Sequence, residues 1–137
     1  MIIPDMQLTR NFKLSEFKCR HCDKVLLPDM ELVYKLQLLR DMLGKPITTS
    51  GYRCPEYNKI LIEKGIKASP DSLHLKGVAA DITSLGISPE ELCYLAKKAG
   101  FSGIGIYDAH VHVDTRDTPT FWDWREKNKG KKLTILV

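Results

Sequence analysis

Apolar residues recur at helical spacing across residues 29–43, where Leu32, Val33, Leu36, Leu39 and Leu43 line one stripe. Gly44 follows and suits a helix stop, so the pattern predicts a helix over about 29–43. Residues 47–50 read as a short strand. Residues 55–64 predict a second helix, with Pro55 in its first turn and Gly65 beyond its end. A third helix is signalled most fully: Ser88 as cap, Pro89 at the first position, Glu91 to complete a capping box, and Gly100 after the last turn. Elsewhere the period falls to two. Over residues 78–83 the side chains of Ala79, Asp81 and Thr83 share a face. Over 110–114 the polar face is His110, His112 and Asp114, while Val111 and Val113 point into the core. Strands are therefore expected over 78–83, 103–107 and 111–115, the last two joined by Asp108-Ala109, with an added edge strand over 133–137. Phe12, Leu14 and Phe17 make residues 11–18 a docking segment, and 66–77 form a polar loop that delivers Ser72 and His74. Helices first and paired strands later argue for an α+β fold with a mainly antiparallel sheet and packed helices.

The length of 137 residues fits one domain with a single core, so residues 1–137 are taken as one unit. No apolar run approaches the roughly 18 residues of a membrane span. Residues 1–7 carry neither a basic region nor a long apolar stretch, so cytoplasmic synthesis without a signal peptide is expected. The net charge of +4 is modest, and much of it crowds into Arg125, Lys127, Lys129, Lys131 and Lys132. That run suits a solvated surface or attraction to an anionic polymer. Without interleaved aromatics or a DNA-binding motif, no specific nucleic-acid partner is expected.

Two segments carry the chemistry: residues 72–81, with Ser72, His74, Gly77 and Asp81, and residues 110–114, with His110, His112 and Asp114. Two imidazoles and one carboxylate, from His74, Asp81 and His112, suit Zn2+ with a fourth position left for water. The spacing is not that of a helical zinc motif; it suggests a loop ligand, a strand ligand, and a third from a later strand. Asp114 can orient an imidazole or pair with Arg116, and Asp108 stands nearby as a rival base. Arg53 offers a planar fork for a peptide carboxylate, or staples the turn over 50–58. Cys19-Arg20-His21-Cys22 has the spacing of half a zinc knuckle, and only Cys54 and Cys93 remain to complete a site. Reduced thiols, a disulfide and a small structural metal site are all open readings, and His21 belongs with that segment rather than with catalysis.

The order Ser-x-His-x-x-Gly-x-Ala-x-Asp, then His-x-His, resembles the D-Ala-D-Ala metallopeptidase family, the M15 peptidases. The similarity extends upstream to residues 12–17 and 50–58, and so covers about 11–116. It implies the α+β fold of D-Ala-D-Ala peptidases and the hedgehog signalling domain, with zinc held by His74, Asp81 and His112. It assigns His110 to proton transfer or to stabilising the tetrahedral intermediate. It places Arg53 and Ser72 at the substrate. Some relatives carry an acidic base three residues before the last ligand. Here that position is Ala109, so Asp108 could serve only through a shifted turn, and Asp114 remains a further catalytic candidate. The implied activity is hydrolysis of peptidoglycan stem peptides, as a D-Ala-D-Ala carboxypeptidase or related endopeptidase, by a monomer that reaches the wall after phage lysis or other release. The alternative is a noncatalytic metal-containing binding module.

Overall fold

The leucine stripe becomes α1 (Met30–Leu43), in which Leu32, Val33, Leu36 and Leu39 are fully buried. Asp29 accepts the Glu31 N–H at its start, and Gly44 ends it in the left-handed region at φ 72°. The computed structural model describes residues 5–22, 24, 26–65 and 72–126. The second helix, α2, spans Pro55–Glu63, with Cys54 at its cap rather than a hydroxyl residue. The third, α3 (Pro89–Ala99), starts where the Ser88 hydroxyl accepts the Glu91 N–H at 3.2 Å, and stops at Gly100.

Five strands form the main sheet: β3 (Thr48–Ser50), β4 (Ala79–Thr83), β5 (Gly103–Ile106), β6 (Val111–Asp114) and β7 (Thr120–Asp123), in the order β3-β4-β6-β5-β7. Every pairing is antiparallel except β5 with β7, so the expected α+β class with a mainly antiparallel sheet holds. Strand β7 is an addition to the sequence reading. So is a small hairpin of β1 (Gln7–Thr9) and β2 (Phe12–Lys13), which leads into the docking segment. Phe12 and Phe17 are buried as expected, whereas Leu14 is only partly covered. The proposed edge strand at 133–137, the basic residues from Lys127 onward and the loop over 66–71 lie outside the described residues. Arg125, the described member of the basic run, is committed internally to Asp123 and Glu90. No described helix is long and apolar enough to cross a membrane.

Register divides the sheet into two unlike faces. Ala80, Val113, Ile104 and Phe121 align across four strands, with Ile82, Val111 and Ile106 beside them. Together with α1, α3, Phe12 and Phe17 these residues make the core. Each fully buried large apolar side chain there contributes about 1.5–3 kcal/mol. On the other face Ser50, Asp81, His112, Gly105 and Trp122 align across all five strands, with Ala79, Asp114, Gly103 and Thr120 as the next row. One face is greasy and anchored; the opposite one carries the titratable groups.

The alternation Gly103-Ile104-Gly105-Ile106 follows from those rows. Each isoleucine enters the core, and each glycine leaves room for a large neighbour on the polar face. A Cβ at Gly103 would lie 1.9 Å from Asp114 Oδ1, and one at Gly105 would lie 2.3 Å from the Trp122 indole. Gly103→Ala should therefore destabilise the fold by about 1–3 kcal/mol, the usual range for overpacking. A wild-type melting temperature for this variant would show that Asp114 can move aside without loss.

Candidate functional site

The polar loop ends in a short 3-10 turn, Leu73–Lys76, capped by the Ser72 hydroxyl, which accepts the His74 N–H at 3.3 Å. That turn holds the buried His74 ring over the sheet. Asp81 projects from the middle of β4, and the β4–β6 register sets it directly beside His112. His74 Nε2 lies 3.2 Å from Asp81 Oδ1, and His112 Nδ1 lies 3.3 Å from the same oxygen. One donor atom from each of the three residues falls within 4.8 Å of the others, which makes this a candidate metal centre.

The outer nitrogens fix what the inner ones present. His74 Nδ1 is 2.8 Å from the Gly51 carbonyl oxygen, which can only accept, so Nδ1 carries the hydrogen. His112 Nε2 is likewise 2.7 Å from Asp114 Oδ2. In their neutral forms both rings therefore turn a lone pair toward Asp81. Three electron-rich atoms facing one point repel unless a proton or a cation lies between them, and outer hydrogen bonds of this kind are how metal-binding imidazoles are oriented. The donor set fits a small divalent cation with mixed nitrogen and oxygen preference, such as Zn2+.

The matching family model, Peptidase M15, covers residues 10–114. The chain belongs to the peptidase M15 family. No curated protein matches it closely enough to add a relative to that assignment.

Charge in this M15 peptidase's site is set by the same contacts. Burial works against ionisation of Asp81, but the His74 and His112 imidazoles outweigh it and hold the carboxyl well below the usual range. Burial also opposes charge on His112, yet hydrogen bonds with Asp114 and Asp81 raise its pKa above the ordinary value. Asp114 is wholly inaccessible, and the hydrogen bonds from His112 and Arg116 overcome that burial to keep it ionised. Both alternatives weighed for Asp114 are realised at once: it orients His112 and pairs with Arg116, whose Nη2 is 2.7 Å away.

His110 lies just ahead of β6, with Nε2 3.9 Å from Asp81 Oδ2 and its ring stacked on Tyr107 at 4.4 Å. Burial lowers its pKa, which favours a neutral ring able to accept a proton. The cluster opens on this side: the side chains of His110 and Asp81 are 35% and 23% exposed, against 4% for His74. Arg53 stands at the same opening, with Nη2 3.7 Å from Asp81 Oδ2 and Nη1 donating to Asn58 Oδ1 at 3.0 Å. Ser72 Oγ is 3.5 Å from Arg53 Nη1, so Ser72 and Arg53 converge. Asp108 is exposed, and its carboxylate accepts the Glu126 N–H at 3.1 Å.

Tyr107, Trp122 and Arg116 complete the surround and were not singled out as site residues from the sequence. Trp122 lies 5.1 Å from the His112 ring, donates from Nε1 to the Tyr107 hydroxyl at 3.0 Å, and carries the Arg116 guanidinium 4.8 Å from its ring centre. The signal available for Trp122 was the second glycine of the Gly-Ile-Gly-Ile strand, which marks a close approach by something large.

Proposed function

We propose that this M15 peptidase is a zinc-dependent hydrolase of peptidoglycan stem peptides, acting as a D-Ala-D-Ala carboxypeptidase or a related endopeptidase. The reading rests above all on the two imidazole lone pairs and one carboxylate directed at a single point beside an opening. His74, Asp81 and His112 would hold the ion. Bound there, Zn2+ supplies a Lewis acid that polarises an amide carbonyl and acidifies water.

The protein's own groups supply the rest. The Gly51 carbonyl and Asp114 keep His74 and His112 in the ligating tautomer. His110 Nε2 faces the opening, where it can take a proton from the attacking water and return it to the departing amine. Arg53, oriented by Asn58, presents its fork to an anionic substrate group, with the Ser72 hydroxyl as a neighbouring hydrogen-bond partner. A terminal carboxylate on the peptide matches that pair. Action on the wall follows release by lysis or other export, and the working unit in this reading is a monomer.

Digestion of purified muropeptides, followed by mass spectrometry of the products, tests the activity and the bond together. The expected result is zinc-dependent peptide cleavage that a chelator abolishes; metal-loaded protein that binds muropeptides without cleaving them would make it a binding module instead. Arg53→Lys should lower kcat/KM roughly 10–100-fold, the value of about 1.5–3 kcal/mol for hydrogen bonds to a charged group. Amidating the terminal carboxylate should cost a similar factor, and the two losses should not add when combined. An enzyme indifferent to amidation would act as an endopeptidase, with Arg53 serving another part of the peptide.

A further inference from the structure

We infer that this chain holds a second, structural Zn2+, bound by the thiolates of Cys19, Cys22 and Cys54 with the His21 imidazole as fourth donor. One sulfur from each cysteine lies within 4.8 Å of the other two, with Cys19 and Cys54 buried and Cys22 half-buried. Tetrahedral zinc with sulfur at about 2.3 Å spaces its ligands by roughly 3.8 Å. Small side-chain adjustments therefore bring the three sulfurs onto one ion. His21 Nδ1 is 3.9 Å from Cys54 Sγ, and its ring is stacked parallel to Tyr57 at 5.6 Å.

Backbone N–H groups are directed at two of the three sulfurs. The Cys54 N–H donates to Cys19 Sγ at 3.4 Å. The Tyr57 N–H donates to Cys54 Sγ, also at 3.4 Å. N–H donors directed at sulfur stabilise the ionised form, which is the metal-binding form. The number of thiols argues against a redox pair. Three are gathered, so any disulfide among them strands the third, and Cys93 sits apart on α3, where burial pushes its thiol up to about 11.

The site has a structural task. Cys54 caps α2 and directly follows Arg53, while the Tyr52 N–H bonds the Phe17 carbonyl at 2.9 Å. An ion joining Cys19, Cys22 and Cys54 fastens the docking segment to the stretch that bears Arg53 and the Gly51 carbonyl, the acceptor that orients His74. Its ligands are different residues from those of the peptidase centre, so the two assignments stand or fall separately.

Metal analysis of the full chain after zinc loading and dialysis should find two equivalents, one for each cluster. Cys22→Ser should lose one equivalent, His74→Ala the other, and Cys93→Ser neither. Cobalt substitution reads the second site without reference to activity: a thiolate-to-cobalt charge-transfer band should appear in wild type and in His74→Ala, and vanish in Cys22→Ser. His21→Ala should keep that band, alter the ligand-field spectrum and weaken cobalt binding by about 10-fold or more; an unchanged spectrum removes His21 from the site. If Cys22→Ser does not fold, the wild-type spectrum decides alone. Absence of the charge-transfer band in reduced wild-type protein overturns the assignment, as does an intact mass showing a disulfide within this group after preparation under reducing conditions.

Discussion

His74→Ala and His112→Ala should each empty the peptidase centre and remove peptide hydrolysis. Each imidazole is one of three donors around a shared point, and each is already oriented by a fixed partner, Gly51 for His74 and Asp114 for His112. Removing merely the partner that orients a metal-binding imidazole costs about 10–100-fold in affinity or activity, so loss of the imidazole itself should exceed that range. The measurement is zinc content alongside muropeptide cleavage, made also in a Cys22→Ser background so that zinc on the cysteines is not counted. Metal content in both variants equal to that of the parent would dismiss the centre. Retained activity with lost metal would dismiss zinc as the catalytic ion while leaving the cluster as a binding site.

The sequence reading reached Asp81, His112 and Asp114 because their strand segments carry strong periodic constraints, whereas His74 was placed as a loop ligand by its spacing from Asp81. His112 and Asp114 alternate with valines that must enter the core, so their face follows from the period alone. Asp81 lies in a strand whose other face is Ala80 and Ile82, both fully buried. Helix α1 was legible from its leucine stripe and the left-handed glycine after it, and α3 from its Ser88 cap, Pro89 and the left-handed Gly100. Strand β7 was not legible. It is four residues long, and among the described residues it pairs with β5, in parallel and with β6 between them in sequence, a pairing that no local pattern announces. Trp122 reaches the site through that pairing and was missed with it. The half zinc knuckle was visible, but the sequence left Cys54 and Cys93 equally able to complete it. Folding separates them, bringing Cys54 to Cys19 and leaving Cys93 on α3.

The choice of proton carrier was also open in the sequence, among His110, Asp108 and Asp114, and the three now have different surroundings. Asp114 is sealed beneath His112 and held by Arg116, which suits a positioning residue. Asp108 spends its carboxylate on the Glu126 N–H at the exposed edge. His110 alone of the three combines an approach to Asp81 with partial exposure and a pKa lowered by burial. His110→Ala should therefore retain zinc while kcat falls on the order of 100-fold or more, the scale for removing one group that assists the transition state. KM should change much less, because in the proposed reading the peptide is held elsewhere, at Arg53 and Ser72. Asp108→Asn should leave kcat near wild type. Asp114→Asn should act through His112 and weaken metal binding by about 10–100-fold, a loss that added zinc reverses. Loss of metal together with activity in His110→Ala would make His110 a ligand, and full activity would return the proton to Asp108.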